Sequence, residues 1–128
     1  MNDLIKSVIA WANEKGILDL GTPASQMEKT YEECDELREA IYHQGLRLSH
    51  YVSSDGKRKN TSDEIMDAIG DITVTLIIQA EMQGLDFEDC LQQAYNVISK
   101  RTGKMVDGQF VKDDTGHPGF DPKNTDIA

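Results

Sequence analysis

Basic residues are scarce in this sequence: 13 lysines and arginines face 23 acids, for a formal charge of -10. Nucleic-acid binding relies on a basic face, so no nucleic-acid polymer is expected as a partner. Long apolar runs are missing as well. The longest, ITVTLIIQA, is too short and too polar to span a bilayer, and no membrane contact is expected. The opening MNDLIKSVIAWANEKG is amphipathic and carries acids, unlike a signal peptide. The cysteines number only two, Cys34 and Cys90. Both fall on predicted helices and read as buried free thiols of a reducing compartment, so the protein is expected in the cytoplasm. Without a second close pair they do not suggest zinc. None of the three histidines stands three residues after a glutamate, which excludes the paired Glu-x-x-His pattern of a di-iron bundle.

What remains suits a small helical protein. A chain of 128 residues makes one domain, with an apolar fraction of 38% and few aromatics. Helical spacing of Leu4, Ile5, Val8, Trp11 and Ala12 predicts a first helix over 3–15, stopped by Gly16. A second helix starts at Thr22 and Pro23 and runs to about His43. A long polar connection, GLRLSHYVSSDGKRKN, leads to a third helix from Thr61 to Gln83, ended by Gly84. Asp86 caps a fourth helix that runs to Arg101 or Thr102. KMVDGQFV then reads as a hairpin around Asp107-Gly108. The expectation is an all-α four-helix bundle over 1–112, including the hairpin, followed by an irregular tail over 113–128.

The acids of KTYEECDELREAI are unusually dense. A helix advances about 100° per residue, so with Glu33 at zero, Leu37 falls at about +40° and Ala40 at about -20°. Glu36, Gln26 and Lys29 lie near about -60°, +20° and -40°. Glu33 thus sits inside the apolar arc and Glu36 at its edge, where a charge is costly unless paired. Glu32, Asp35 and Glu39 point toward water and suit a solvated face. The third helix repeats the feature: with Asp71 at zero, Glu64 lies at about +20° and Asp67 at about -40°. Carboxylates from two helices form an all-oxygen set suited to Mg²⁺ or Mn²⁺. Glu64 has a competing role as the return partner of Thr61 in a capping box, since TSDE fits S/T-x-x-E.

QQAYNVISKRTGK places Asn96, Lys100, Arg101 and Lys104 near one helix end, and GKRK at 56–59 is a second basic spot. Cations at a helix C-terminus complement its dipole. Beside a metal, they also suit a polyphosphate. Trp11, the one tryptophan, is either a base-stacking group or a core residue.

QMEKTYEECDEL, DAIGDITVTLIIQA and AYNVISKRTGKMVDGQFVK together resemble the MazG-like all-α nucleoside triphosphate pyrophosphohydrolases, particularly small stand-alone forms of phages and bacteria. The similarity covers about residues 5–112. The EExxE motif is matched by Glu32, Glu33 and Glu36. The second motif, ExxD, is not matched in full: aligning its Gly-Asp pair keeps Asp71 but puts Ala68 where glutamate is usual. Either Asp67 and Glu64 stand in for it, or EIMD itself serves, through Glu64 and Asp67.

The resemblance implies cleavage of a nucleoside triphosphate between its α- and β-phosphates, giving monophosphate and pyrophosphate. It implies Mg²⁺, replaceable by Mn²⁺, held by Glu33, Glu36, Glu64, Asp67 and Asp71. A carboxylate, Glu32 or Glu36, would activate water. Lys29, Asn96, Lys100, Arg101 and Lys104 would hold phosphates, with Trp11 and Gln26 at the base or sugar. A homodimer or homotetramer is implied too, and the nearly all-round apolar third helix points the same way. For a phage protein the location is the host cytoplasm. Two other classes compete: a degenerate member that binds nucleotides without cleaving them, and an acidic helical protein that inhibits a partner protein.

Overall fold

The computed structural model describes residues 2–113. They are mostly helical, with two small two-stranded sheets. Helices α1 (Asp3–Glu14), α2 (Ile17–Leu20) and α3 (Pro23–Gly45) are followed by strands β1 (His50–Val52) and β2 (Arg58–Asn60). Then come α4 (Thr61–Met82), α5 (Phe87–Ile98), β3 (Gly103–Val106) and β4 (Gln109–Lys112). The chain divides into two compact units, one ending at Leu91 and one beginning at Gln92. The expected tail, beyond Asp113, lies outside the described residues.

The first unit is built on the antiparallel seam between α3 and α4. Thr22 starts α3 through a capping box: its hydroxyl accepts from Ser25 N at 3.0 Å, and Ser25 Oγ accepts from Thr22 N at 2.9 Å. Small side chains at Ala40 and Ala68, 0% and 2% exposed, let the two backbones approach closely. Polar contacts fix the register. Gln79 Nε2 donates to Pro23 O at 2.9 Å, Gln26 Nε2 to Thr75 O at 3.4 Å, and Thr30 Oγ1 to Thr75 Oγ1 at 3.0 Å. With buried groups so paired, a slip along the seam would strand several of them at once. Helix α1 packs on α4, and its Ala12 is fully buried.

The polar connection between α3 and α4 holds more structure than expected. β1 and β2 pair antiparallel, with Tyr51 opposite Lys59, and Ser53 N bonds to Lys57 O at 2.8 Å across the turn. Gly56 has φ +84°, so this turn needs a residue free to enter the left-handed region. The Asp55-Gly56 pair was the available signal, but three-residue strands are too short to show alternation. α4 starts at Thr61 as expected, but Thr61 is not the residue that caps it. Its cap is Asn60, whose side chain accepts from Asp63 N at 3.0 Å, while Thr61 is buried and donates to Leu48 O at 2.7 Å.

In the second unit, α5 ends at Ile98 rather than at Arg101. Lys100 N bonds back three residues to Val97 O, at 3.3 Å, and closes the helix in a tighter turn. β3 and β4 form the expected hairpin, with Val106 paired to Gln109 across Asp107-Gly108, both at positive φ. The reading of two buried thiols is also corrected. Cys34 is half-buried, but Cys90 lies on the exposed start of α5, a helix with no buried residue.

A carboxylate cluster as candidate metal centre

The seam that fixes the helices also fixes the acids. Glu33 follows Thr30 on α3, and Asp71 precedes Thr75 on α4, so the Thr30–Thr75 contact sets them face to face. Glu36 stands one turn beyond Glu33. One carboxylate oxygen from each of Glu33, Glu36 and Asp71 falls within 4.8 Å of the others. Glu33 is buried, and Glu36 and Asp71 form the open side.

The electrostatics of this trio are unfavourable without a cation. Lys29 Nζ lies 3.4 Å from Glu33 Oε1. The other oxygen, Oε2, is enclosed and has no hydrogen-bond partner among the described residues. An ionised oxygen in that position loses its hydration without replacement. Burial, and then the neighbouring Glu33 carboxyl, raise the Glu36 pKa. Burial first, then Glu33 and Asp67, raise that of Asp71, against a smaller lowering by Lys29. Three oxygens from three carboxylates, one of them enclosed and unpartnered, fit a hard divalent ion such as Mg²⁺ or Mn²⁺.

The remaining predicted residues are placed differently. Glu32 is on the solvent side of α3, its Oε2 3.2 Å from Lys29 Nζ. That hydrogen bond comes first among the causes that raise the Lys29 pKa, followed by Glu33 against the opposing effect of burial. Asp67 is exposed and outside the trio. Glu64 is outside it as well, with its Oε2 3.7 Å from Lys59 Nζ. It shares a face with Asp71 but stands two turns away, about 10 Å along the axis.

Trp11 and Gln26 do meet the trio. They line one cavity of about 220 Å³ with Lys29, Glu33, Asp71 and Ile78. The Trp11 side chain is 46% exposed there, so it is not a core residue of α1. Gln26 is buried, with its amide nitrogen engaged by Thr75 O.

A second cavity, of about 80 Å³, borders the trio on its Glu36 side and is walled by the β1–β2 hairpin. Tyr51 and Lys59 line it, and sequence reasoning singled out neither for the site. The signals were the basic spot at 56–59 and the Asp-Gly turn, which together imply a lysine on a short strand.

Asn96, Lys100, Arg101 and Lys104 belong to the second unit and are exposed. Asn96 Oδ1 accepts from Gln92 Nε2 at 2.9 Å along α5. Lys100 and Arg101 follow the helix end, and Lys104 sits on β3 opposite Val111.

Comparison with known proteins adds an independent finding. A family model for the MazG nucleotide pyrophosphohydrolase domain matches residues 21–106. An 18.2 kDa protein from the rep-hol intergenic region of Haemophilus phage HP1 (strain HP1c1) is 30% identical over 86 residues. The match takes in 67% of this chain and 43% of the phage protein, so the chain spans less than half the length of that curated relative. No solved structure matches.

Proposed function

The chain belongs to the MazG nucleotide pyrophosphohydrolase domain family, and from that premise we propose that it hydrolyses a nucleoside or deoxynucleoside triphosphate between the α- and β-phosphates. The products are the monophosphate and pyrophosphate. The observation that carries this reading is the trio of Glu33, Glu36 and Asp71, with its enclosed, unpartnered Glu33 oxygen.

Glu33, Glu36 and Asp71 would hold Mg²⁺ or, in its place, Mn²⁺. When bound, the ion supplies Lewis-acid polarisation of the phosphate oxygens and offsets the triphosphate's charge. The residues of the chain do the rest. Glu36, on the open side of the trio, orients the attacking water and takes its proton. Glu32 keeps Lys29 at the rim through their ion pair, where the ammonium faces incoming phosphate. Trp11 offers a half-exposed indole for the base to lie against, and Gln26 presents its amide oxygen to base or sugar. Asn96, Lys100, Arg101 and Lys104 remain candidates for phosphate binding. Asp67 and Glu64 serve as outer acids, Asp67 through its effect on Asp71 and Glu64 through Lys59.

Several exposed apolar side chains support a shared bundle core in a homodimer or homotetramer. On α4 these are Met66, Ile69 and Leu76, and on α5 Leu91, Tyr95 and Ile98. No helix among the described residues is long and apolar enough to cross a membrane. With the acidic balance, this supports a cytoplasmic enzyme without a nucleic-acid partner, in the host cytoplasm if phage-encoded.

Ala68 favours one rival. It is 2% exposed where the family's second motif carries glutamate, as expected for a member that binds nucleotides without cleaving them. An acidic inhibitor of a partner protein fits less well, because Glu33 is turned into the protein rather than displayed. A panel of NTPs and dNTPs with Mg²⁺ separates the three. Release of monophosphate with pyrophosphate supports hydrolysis, stoichiometric binding without release supports the degenerate member, and neither outcome leaves the inhibitor.

A further inference from the structure

Two hydrogen-bond donors of the β1–β2 hairpin have no hydrogen bond to a side-chain acceptor among the described residues. The Lys59 side chain is 22% exposed, yet its Nζ lies 3.8 Å from Asp55 Oδ2 and 3.7 Å from Glu64 Oε2, beyond hydrogen-bond distance. Tyr51 is 8% exposed, its ring stacked on His43 at 4.1 Å, and no described residue bonds its hydroxyl. Both line the cavity bordered by Glu36. Two of the acids around them also have hydrogen bonds of their own. Glu39 accepts from Ser54 N at 3.1 Å, and Asp55 accepts from Lys57 N at 2.9 Å and from Ser53 Oγ. The groups facing the cavity are therefore an ammonium held only by two long ion pairs and a phenol hydroxyl with no hydrogen bond among the described residues, both donors. Donors held so close to burial call for an acceptor.

We propose that Tyr51 and Lys59 bind the β- and γ-phosphate end of the substrate, the part that leaves as pyrophosphate, and bind it only as its divalent-metal chelate. The site's two cavities set the direction. The Trp11 cavity opens on Glu33 and Asp71 and takes the nucleoside; the hairpin cavity opens on Glu36 and takes the leaving group. The scissile bond then lies over the trio between them. The chelate requirement follows from charge. Glu36, Glu39, Asp55 and Glu64 outnumber Lys59 in the cavity wall, so a bare polyanion is repelled and a neutralised one is not.

The inference rests on the nucleotide reading, and its test is built to fail separately from it. Inorganic pyrophosphate and a nucleoside monophosphate are titrated calorimetrically into wild type, Lys59→Met, Lys59→Arg and Tyr51→Phe, with Mg²⁺ and with EDTA. Lys59→Met is expected to weaken Mg²⁺-pyrophosphate binding by about 10- to 100-fold, and Tyr51→Phe by about 3- to 10-fold. Monophosphate affinity stays within about twofold, Lys59→Arg retains most pyrophosphate binding, and EDTA abolishes it. Mn²⁺ affinity, read by electron paramagnetic resonance, should rise in Lys59→Met because a cation beside Glu36 is gone. A merely structural lysine would instead lower both affinities together. Unchanged pyrophosphate affinity in Lys59→Met, or pyrophosphate binding in EDTA, overturns the inference even if triphosphates are cleaved. Pyrophosphate binding that depends on Lys59, in a protein that cleaves no triphosphate, sustains it and removes the proposed reaction instead.

Discussion

Asp71 is held between opposing demands. It must be ionised to bind a cation, yet burial and the charges of Glu33 and Asp67 favour its protonated form. The sign of the linkage follows. A carboxyl whose pKa is higher in the folded chain than in the unfolded one favours folding most fully below the unfolded value. That contribution is lost as pH rises through the folded value. In EDTA at neutral pH, Asp71→Asn should therefore unfold at a higher temperature than wild type. The gain should be no more than about 1 kcal/mol, because the group is solvent-screened, and it should close as pH falls into the acid range. The same substitution should lower kcat/KM by at least about 10²-fold and remove stabilisation by Mg²⁺. Thermal melts across pH and steady-state kinetics check both. Ala68→Glu tests the departure from the second motif. It buries a carboxylate at a site now 2% exposed, so metal-free stability should fall by roughly 3 kcal/mol, and Mn²⁺ should restore it if the position completes a ligand set. Angular arithmetic made Glu33 legible as an inward acid, whereas Asp71, also expected to face inward, is exposed on the open side of the trio. The arithmetic also grouped Glu64 with Asp71, because an angle contains no height along the axis: seven residues on, Glu64 faces Lys59 instead.

At the scale of elements, the ends and turns were legible where chemistry marks them. Thr22 with Pro23 starts α3, Asp86 accepts from Glu88 N at 2.8 Å at the start of α5, and Asp107-Gly108 turns the last hairpin. The β1–β2 hairpin was hidden because its strands are three residues long and their residues polar. It matters more than its size suggests, since it carries Tyr51 and Lys59 to the trio's edge. Gly56→Ala is a selective probe of it. A Cβ there meets nothing within 4 Å, so the cost comes from the backbone alone, at φ +84°. That cost should be roughly 1–2 kcal/mol, seen as a lower melting temperature. If the hairpin frays before the helices unfold, KM for triphosphate should rise while Mn²⁺ affinity is retained.

At the scale of the whole molecule, exposed apolar side chains on α4 argue for a second copy. Met66, Ile69 and Leu76 share one face at helical spacing, away from Asp71. Ile69→Asp should shift the protein toward monomer in light scattering; a wild type already monomeric would count against a shared core. The convergence of α3 and α4 acids was the part no single helix could reveal, since it depends on the antiparallel register set by Thr30, Thr75 and Gln26. The most direct measurement is the anomalous difference map of a crystal grown with Mn²⁺ and a triphosphate analogue that resists α–β cleavage. The account predicts a manganese peak bonded to Glu33, Glu36 and Asp71. A map in which these three carboxylates contact no ion, with the analogue bound elsewhere, would contradict it.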